Sequence, residues 1–151
     1  MLLRGFARSM EAGLLSALRE IEGEAPFRRM FTPGGRQMSV AMTNCGAAGW
    51  ITDAGGYRYD GIDPESGTAW PAMPLTFREL AESAAREAGF AGFVPDACLI
   101  NRYEPGARMS LHQDRDEQDF SAPIVSVSLG LPAIFLFGGM KCSDKPQRYR
   151  L

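Results

Sequence analysis

From Ser9 to Ile21 the apolar residues Met10, Leu14, Leu15, Leu18 and Ile21 recur in steps that place them on one face of a helix. Ser9 is positioned to cap that helix and Gly23 to end it. A second stripe, Leu80, Ala81, Ala84, Ala85 and Ala88, follows Thr76-Phe77-Arg78-Glu79, which has capping-box spacing, and stops at Gly89. Elsewhere the period is two. Met38, Val40 and Met42 alternate with small or polar neighbours, as Leu99, Asn101 and Tyr103 do with Ile100 and Arg102, and both patterns predict strands. The runs IVSVSL at 124–129 and AIFLF at 133–137 predict two more, separated by Gly130 and Pro132 and closed by Gly138 and Gly139. Gly55 to Pro74, dense in turn formers and aromatics, predicts an ordered irregular loop, and QRYRL at 147–151 reads as the start of a further strand. Two amphipathic helices beside several antiparallel strands imply an α+β domain or a helix-buttressed barrel.

The 151 residues, 45% of them hydrophobic, suffice for one core, so 1–151 is expected to be a single domain. Charge narrows the function classes. Sixteen basic against 18 acidic residues leave −2, which excludes the bulk electrostatic footprint of a nucleic-acid binder; a polyanion would have to be met locally. Cys45, Cys98 and Cys142 are odd in number and widely spaced, which fits reduced thiols packed as small hydrophobes better than a disulfide or zinc framework. The opening MLLRGFARSM lacks the apolar centre of a secretion signal, and no run approaches the roughly 20 apolar residues of a membrane span. The expectation is a soluble cytoplasmic monomer with no membrane partner.

Candidate chemistry concentrates in SLHQDRDE at 110–117, which holds the only histidine of the chain. In an extended segment residues two apart point to the same side, so His112 and Asp114 can present an imidazole nitrogen and a carboxylate oxygen to one ion. That donor pair suits Fe(II), Mn(II) or Zn(II). By spacing alone, a solvated loop whose histidine merely titrates accounts for it equally well. An oxygenase iron centre uses two histidines and one carboxylate, so the local chemistry is half of a metal site.

Four stretches taken together carry more. MFTPGGRQMSVAMTNCGAAGW at 30–50, WPAMP at 70–74, PDACLINRYEPGARMSLHQDRDE at 95–117 and APIVSVSLGLPAIFLFGG at 122–139 strongly resemble, in order, the bacterial AlkB family of iron(II)- and 2-oxoglutarate-dependent repair dioxygenases. The resemblance implies a mainly β, α+β fold: a double-stranded β-helix (jelly-roll) core with flanking helices. It implies oxidative removal of alkyl groups from bases such as 1-methyladenine and 3-methylcytosine in single- or double-stranded DNA or in RNA, with 2-oxoglutarate as co-substrate. His112 and Asp114 match the first two iron ligands and catalytic residues, and Asn101 and Tyr103 match the residues that hydrogen-bond 2-oxoglutarate. Trp50 matches the aromatic that stacks on the flipped base, which is physically sensible because an extruded base has lost its neighbours. Tyr57 and Arg108 match positions near the nucleotide backbone, Asp116 the carboxylate that meets the exocyclic amine, and Thr32, Met38 and Met42 the recognition lid, where soft methionines adapt to different bases.

Two departures follow from the same resemblance. Arg36 stands where the lid carries an aromatic, which exchanges stacking for a phosphate contact. The segment bearing the second iron histidine, the arginine that clamps 2-oxoglutarate and the closing strands has no counterpart before Leu151, so the jelly roll is expected to be incomplete at its C-terminal side and co-substrate binding weakened. The alternative function is therefore an inactive fragment that keeps weak binding to single-stranded nucleic acid through Trp50, Tyr57, Arg28, Arg29 and Arg36.

Overall fold

The computed structural model describes residues 1–114, 117, 119–139, 141 and 144–151. Two helices and six strands follow in the order α1 (Glu11–Glu24), β1 (Ala41–Gly46), β2 (Gly49–Asp53), β3 (Gly56–Asp60), α2 (Leu75–Glu87), β4 (Ala97–Arg102), β5 (Ile134–Phe137) and β6 (Gln147–Arg150), with a short 3-10 turn, Arg8–Met10, leading into α1. The strands pair antiparallel as β1 with β4, β2 with β3, and β5 with β6. An α+β domain of mostly strands with flanking helices is present; among the described residues the strands form these three separate pairs. No described helix is long and apolar enough to cross a membrane.

Both helices form where the apolar stripes place them, but their ends differ from expectation for local reasons. α1 buries Leu14, Ala17 and Ile21. Ser9 makes no cap, because the 3-10 turn carries the chain into the helix with Met10 at the N-cap, and Gly23 lies inside a last turn closed by Ala25 N–H donating to Ile21 O at 2.7 Å. α2 starts one residue before Thr76. The Pro74 carbonyl accepts from the N–H groups of Phe77 and Arg78, so the Thr76 hydroxyl falls within the first turn, buried and without a hydrogen bond, and the capping box does not form. At the other end the chain does turn at Gly89, whose φ of +91° only glycine adopts readily, while Phe90 N–H reaches back to Ala85 O.

α1 packs on α2 and on β1. The core on the other side of β1 gathers Ala25, Met30, Val40, Met42, Ile51 and Trp70. Each large aliphatic buried there contributes about 1.5–3 kcal/mol. Two polar groups here are paired: Thr43 Oγ1 donates to Ala25 O at 2.7 Å, and Trp70 Nε1 donates to Asp60 O at 2.9 Å. Arg28 bridges Asp63 through two hydrogen bonds of 3.0 and 2.6 Å with its guanidinium 5.1 Å above the Trp70 ring. Burial by itself raises the Asp63 carboxyl; the Arg28 bonds and the Glu65 amide overturn that and hold it below the usual carboxylate range.

Three expectations are corrected. The stretch that begins at Gly55 is not an irregular loop throughout, since 56–60 is β3, paired in register from Asp53↔Gly56 to Gly49↔Asp60. The alternation at 38–42 starts too early, because only Ala41 and Met42 of that run lie in a strand. IVSVSL at 124–129 is not a strand: Ile124, Val127 and Leu129 are exposed and make no ladder, and period-two sequence without a partner surface does not hold a strand.

Candidate nucleic-acid and metal site

The hairpin β2–β3 is built from its turn outward. Asp53 Oδ1 accepts from Gly55 N–H at 2.7 Å and from Arg58 Nη1 at 3.0 Å, and Oδ2 accepts from Nη2 at 2.8 Å, which pins the two-residue loop and draws this carboxyl below its ordinary range. Gly56 follows at φ +114°. The resulting register sets Trp50 opposite Tyr59 and diagonal to Tyr57, and the Trp50 and Tyr57 rings stack at 5.7 Å with an interplanar angle of 24°. With Tyr57 about half exposed, the pair is a flat aromatic shelf open to solvent.

What holds the shelf in place is a residue the sequence reading passed over. Asn44, fully buried in β1, donates from Nδ2 to Trp50 O at 3.1 Å and accepts from Trp50 N–H at 3.0 Å, so one side-chain amide satisfies both backbone groups of the tryptophan. Gly49 beside it is required by space: a Cβ there would stand 2.5 Å from Trp70 Cε2 and 2.8 Å from Asn44 Cβ. The only sequence signal for Asn44 was an amide inside a strand of otherwise small and apolar residues.

Thr32 and Met38 lie on the segment that leads into β1, and Arg108 on the segment that follows β4. Thr32 organises a turn, its N–H donating to Arg36 O and its hydroxyl accepting from Arg36 N–H. Met38 is partly buried against the core, and Ser39 joins its segment to the later chain, donating to Arg108 O at 2.9 Å. Met42 is corrected: at 0% exposure, in β1, it is a core residue and not part of an accessible lid. Arg28 and Arg29 are likewise engaged, Arg28 with Asp63 and Arg29 with Glu104 at 2.8 Å, so Arg28 in particular is a structural cation rather than a free one.

His112 and Asp114 lie on an exposed, non-helical segment with Nε2 and Oδ1 3.4 Å apart. His112 Nδ1 stands 2.7 Å from Ser110 O. With the proton on the ring nitrogen that faces the carbonyl, Nε2 is the nitrogen left to ligate a metal beside the carboxylate. Two donors at right angles on a first-row divalent ion, each about 2.1 Å from it, would be roughly 3 Å apart, so this pair fits adjacent positions on such an ion. Among the described residues no third histidine, cysteine or carboxylate joins them. Asp116 lies outside the described residues.

Tyr59 links the shelf to the segment that carries His112 and Asp114. Its O–H donates to Glu117 Oε1 at 2.7 Å, and burial first, then the Glu117 carboxylate and the nearby Asp114, raise its hydroxyl far above the ordinary phenol range, so it remains a donor. Neither Tyr59 nor Glu117 stood out in the sequence, where one was an aromatic in an apparent loop and the other part of a charge run.

Asn101 sits in β4 opposite Met42, and its Oδ1 is buried with no hydrogen-bond partner. A buried amide left unmatched costs about 1–3 kcal/mol and is expected to have a purpose. Tyr103, just past β4, is 54% exposed. The side chains that the resemblance assigns to a dicarboxylate co-substrate are therefore an amide whose oxygen is unmatched among the described residues and a phenol two residues on.

Comparison with known proteins gives the family. The 2OG-Fe(II) oxygenase superfamily signature matches residues 1–151. The chain is 56% identical over 150 residues to the alpha-ketoglutarate-dependent dioxygenase AlkB of Escherichia coli, covering 99% of this chain and 69% of that protein. It is 43% identical over 143 residues to the AlkB homologue of Caulobacter vibrioides, covering 95% and 63% respectively. Among solved structures it superposes on OsALKBH1 with a TM-score of 0.78 at 26% identity, over 100% of this chain and 75% of that one. The half-centre at His112 and Asp114, the aromatic shelf and these matches lead to one conclusion: the chain belongs to the 2OG-Fe(II) oxygenase superfamily, and within it to the AlkB-type dioxygenases.

Proposed function

We propose that the protein oxidatively dealkylates damaged bases such as 1-methyladenine and 3-methylcytosine in DNA or RNA, coupled to decarboxylation of 2-oxoglutarate. The observation that carries this reading is the His112–Asp114 donor pair, 3.4 Å apart with the other imidazole nitrogen already committed to Ser110 O. When bound there, Fe(II) supplies the oxidising chemistry that hydroxylates the alkyl carbon. The chain's own residues do the rest. His112 and Asp114 hold the metal, and the Ser110 carbonyl keeps the imidazole in the tautomer that can ligate. Asn101 and Tyr103 orient 2-oxoglutarate, the amide nitrogen and the phenol hydroxyl donating to its oxygens. Trp50, braced by Asn44 and Tyr57, replaces the stacking that an extruded base has given up, and Thr32, Met38 and Arg108 border the strand beside it. The alkylated nucleic acids acted on by its relatives support the substrate class: one at 30% identity is named a tRNA demethylase and another at 31% a DNA N(6)-methyladenine demethylase.

The test is an anaerobic titration of the protein with Fe(II) and 2-oxoglutarate, following the visible charge-transfer absorption of the chelate. A saturable band that disappears in His112→Ala is the expected result. A band of equal strength in that variant would move the metal elsewhere and overturn the assignment, as would the absence of any band.

A further inference from the structure

Three cysteines scattered along the chain show no pattern, but the pairing of β1 with β4 brings two of them together. Cys45 stands directly opposite Cys98 in the antiparallel register, between the pairs Asn44↔Leu99 and Gly46↔Ala97. Directly opposed residues send their side chains off the same face of a sheet. Their Cα atoms are about 4.5 or 5.5 Å apart, according to which alternating site they occupy, and both values lie within the roughly 4.4–6.8 Å range that a disulfide spans. Both are free thiols.

The pair occupies the back of the site. Strand alternation places Cys45 on the same face as Thr43, whose hydroxyl reaches Ala25 O at the end of α1, and Cys98 on the same face as Ile100. Met42 and Asn101 project from the opposite face. The two sulfurs are unequal. Cys45 is completely buried and Cys98 only partly so. The Cys45 S–H hydrogen-bonded to Cys98 is held protonated by that bond, with burial adding to it, whereas the same bond draws Cys98 below the ordinary thiol range. A partly buried, thiolate-favouring cysteine beside a protonated, fully enclosed one is the arrangement of an attacking and a resolving sulfur.

We propose that Cys45 and Cys98 are a peroxide-oxidisable dithiol, with Cys98 the attacking sulfur and Cys45 the resolving one. The Cys98 thiolate attacks one oxygen of hydrogen peroxide, the O–O bond breaks, and hydroxide leaves to take up a proton, giving Cys98 sulfenic acid and water. Cys45 sulfur then attacks Cys98 sulfur; the S–S bond forms, the S–O bond breaks, and the Cys45 proton departs with the hydroxyl as a second water. Two thiols are oxidised by two electrons and one peroxide is reduced. The bond would staple β1 to β4 three residues from Asn101, so oxidation at the back would stiffen the strand pair that presents the amide at the front.

The experiment uses the 151-residue chain carrying Cys142→Ser, so that the third thiol cannot exchange. After peroxide treatment under native conditions, alkylation and digestion, the expected product is one peptide pair joined through Cys45 and Cys98, with loss of both alkylatable thiols and full recovery of both on reduction. In Cys45→Ser a dimedone-reactive sulfenic acid should accumulate at Cys98, while in Cys98→Ser peroxide should leave Cys45 alkylatable. Sulfinic acid at Cys98 with Cys45 still alkylatable in the Cys142→Ser chain would overturn the proposal, and so would survival of both thiols at peroxide doses that oxidise a free cysteine peptide. Neither readout depends on metal, co-substrate or turnover, so the dithiol stands or falls separately from the dioxygenase site.

Discussion

Every buried residue among those described lies between Leu14 and Ala85; from Arg86 to Leu151 none is buried. The difference does not follow apolar content. β1, AMTNCG, contains a threonine and an asparagine and is buried almost throughout, while β5, IFLF, is wholly apolar and every one of its side chains is exposed. β1 is given α1 on one face and the Met30–Ile51–Trp70 cluster on the other, whereas β5 is paired only with β6. A strand's fate is thus set by the surfaces offered to it, and an isolated two-stranded pair offers little. The candidate ligands His112 and Asp114 fall in the open region and the aromatic shelf in the packed one, with Tyr59 and Glu117 joining them.

The comparison predicts that substitutions of the same kind will cost very different amounts on the two sides. The largest loss is expected at Asp63, whose side chain is 5% exposed and doubly bonded to Arg28 at 13%. Asp63→Ala leaves the guanidinium over Trp70 with the more exposed Glu65, 3.4 Å from its Nε, in place of two short bonds, and should destabilise by about 3 kcal/mol in chemical denaturation. The pH dependence has a definite sign. Because the folded Asp63 carboxyl is held below its unfolded value of about 3.9, its contribution is fully present above that pH and is lost as pH falls through the lower folded value. Asp63→Asn should therefore flatten the stability profile below about pH 4; an acid limb of unchanged slope would remove Arg28–Asp63 from the account of acid unfolding.

Next in size is Gly49→Ala. Its added methyl would meet the Trp70 ring and Asn44 together, both of them held by hydrogen bonds, so neither can yield cheaply. A loss of about 2 kcal/mol is expected, with the Trp50 backbone displaced, and a thermal melt unchanged from the parent would show that the packed side is softer than described.

These residues also mark where the sequence was legible. The helix stripes could be read because a 3.6-residue period needs no knowledge of the partner surface, while spacing and resemblance carry side-chain chemistry directly and so put forward His112, Asp114 and Asn101 as candidates. Helix ends were misread at Ser9 and Thr76 because Met10 and Pro74 take the cap positions, a competition decided by a single backbone turn. β3 was hidden behind turn-forming residues that do form a turn, at Asp53–Gly56, but then continue as a strand. Asn44, Tyr59 and Glu117 could not be seen at all, because their roles depend on register between segments 6 and 58 residues apart. The strand expected at 124–129 failed for the converse reason: its local pattern is right and the missing ingredient is a neighbour.

Trp50→Ala tests the shelf: the ring is partly buried and packed against the core, while Asn44 bonds its backbone rather than its ring. Affinity of the folded variant for a short single-stranded oligonucleotide carrying 1-methyladenine should fall roughly tenfold, the value of one lost base–aromatic stack. Unchanged affinity would mean that the base does not rest on Trp50.

The smallest effect is expected in the open region. Phe137 ends β5 at 63% exposure and pairs through its backbone with Gln147, so truncating its ring removes almost no buried surface. Phe137→Ala should change the unfolding free energy by less than about 0.5 kcal/mol, although the same substitution in a packed core costs about 3–5 kcal/mol. Hydrogen exchange sharpens the point: amides of β1 and β4 should require global unfolding to exchange, whereas those of β5 and β6 should exchange through local opening at far lower cost. If Phe137→Ala instead costs 2 kcal/mol or more, or if β5 is as protected as β1, then the second hairpin has found a packing surface in solution, and exposure rather than sequence would cease to separate the two halves.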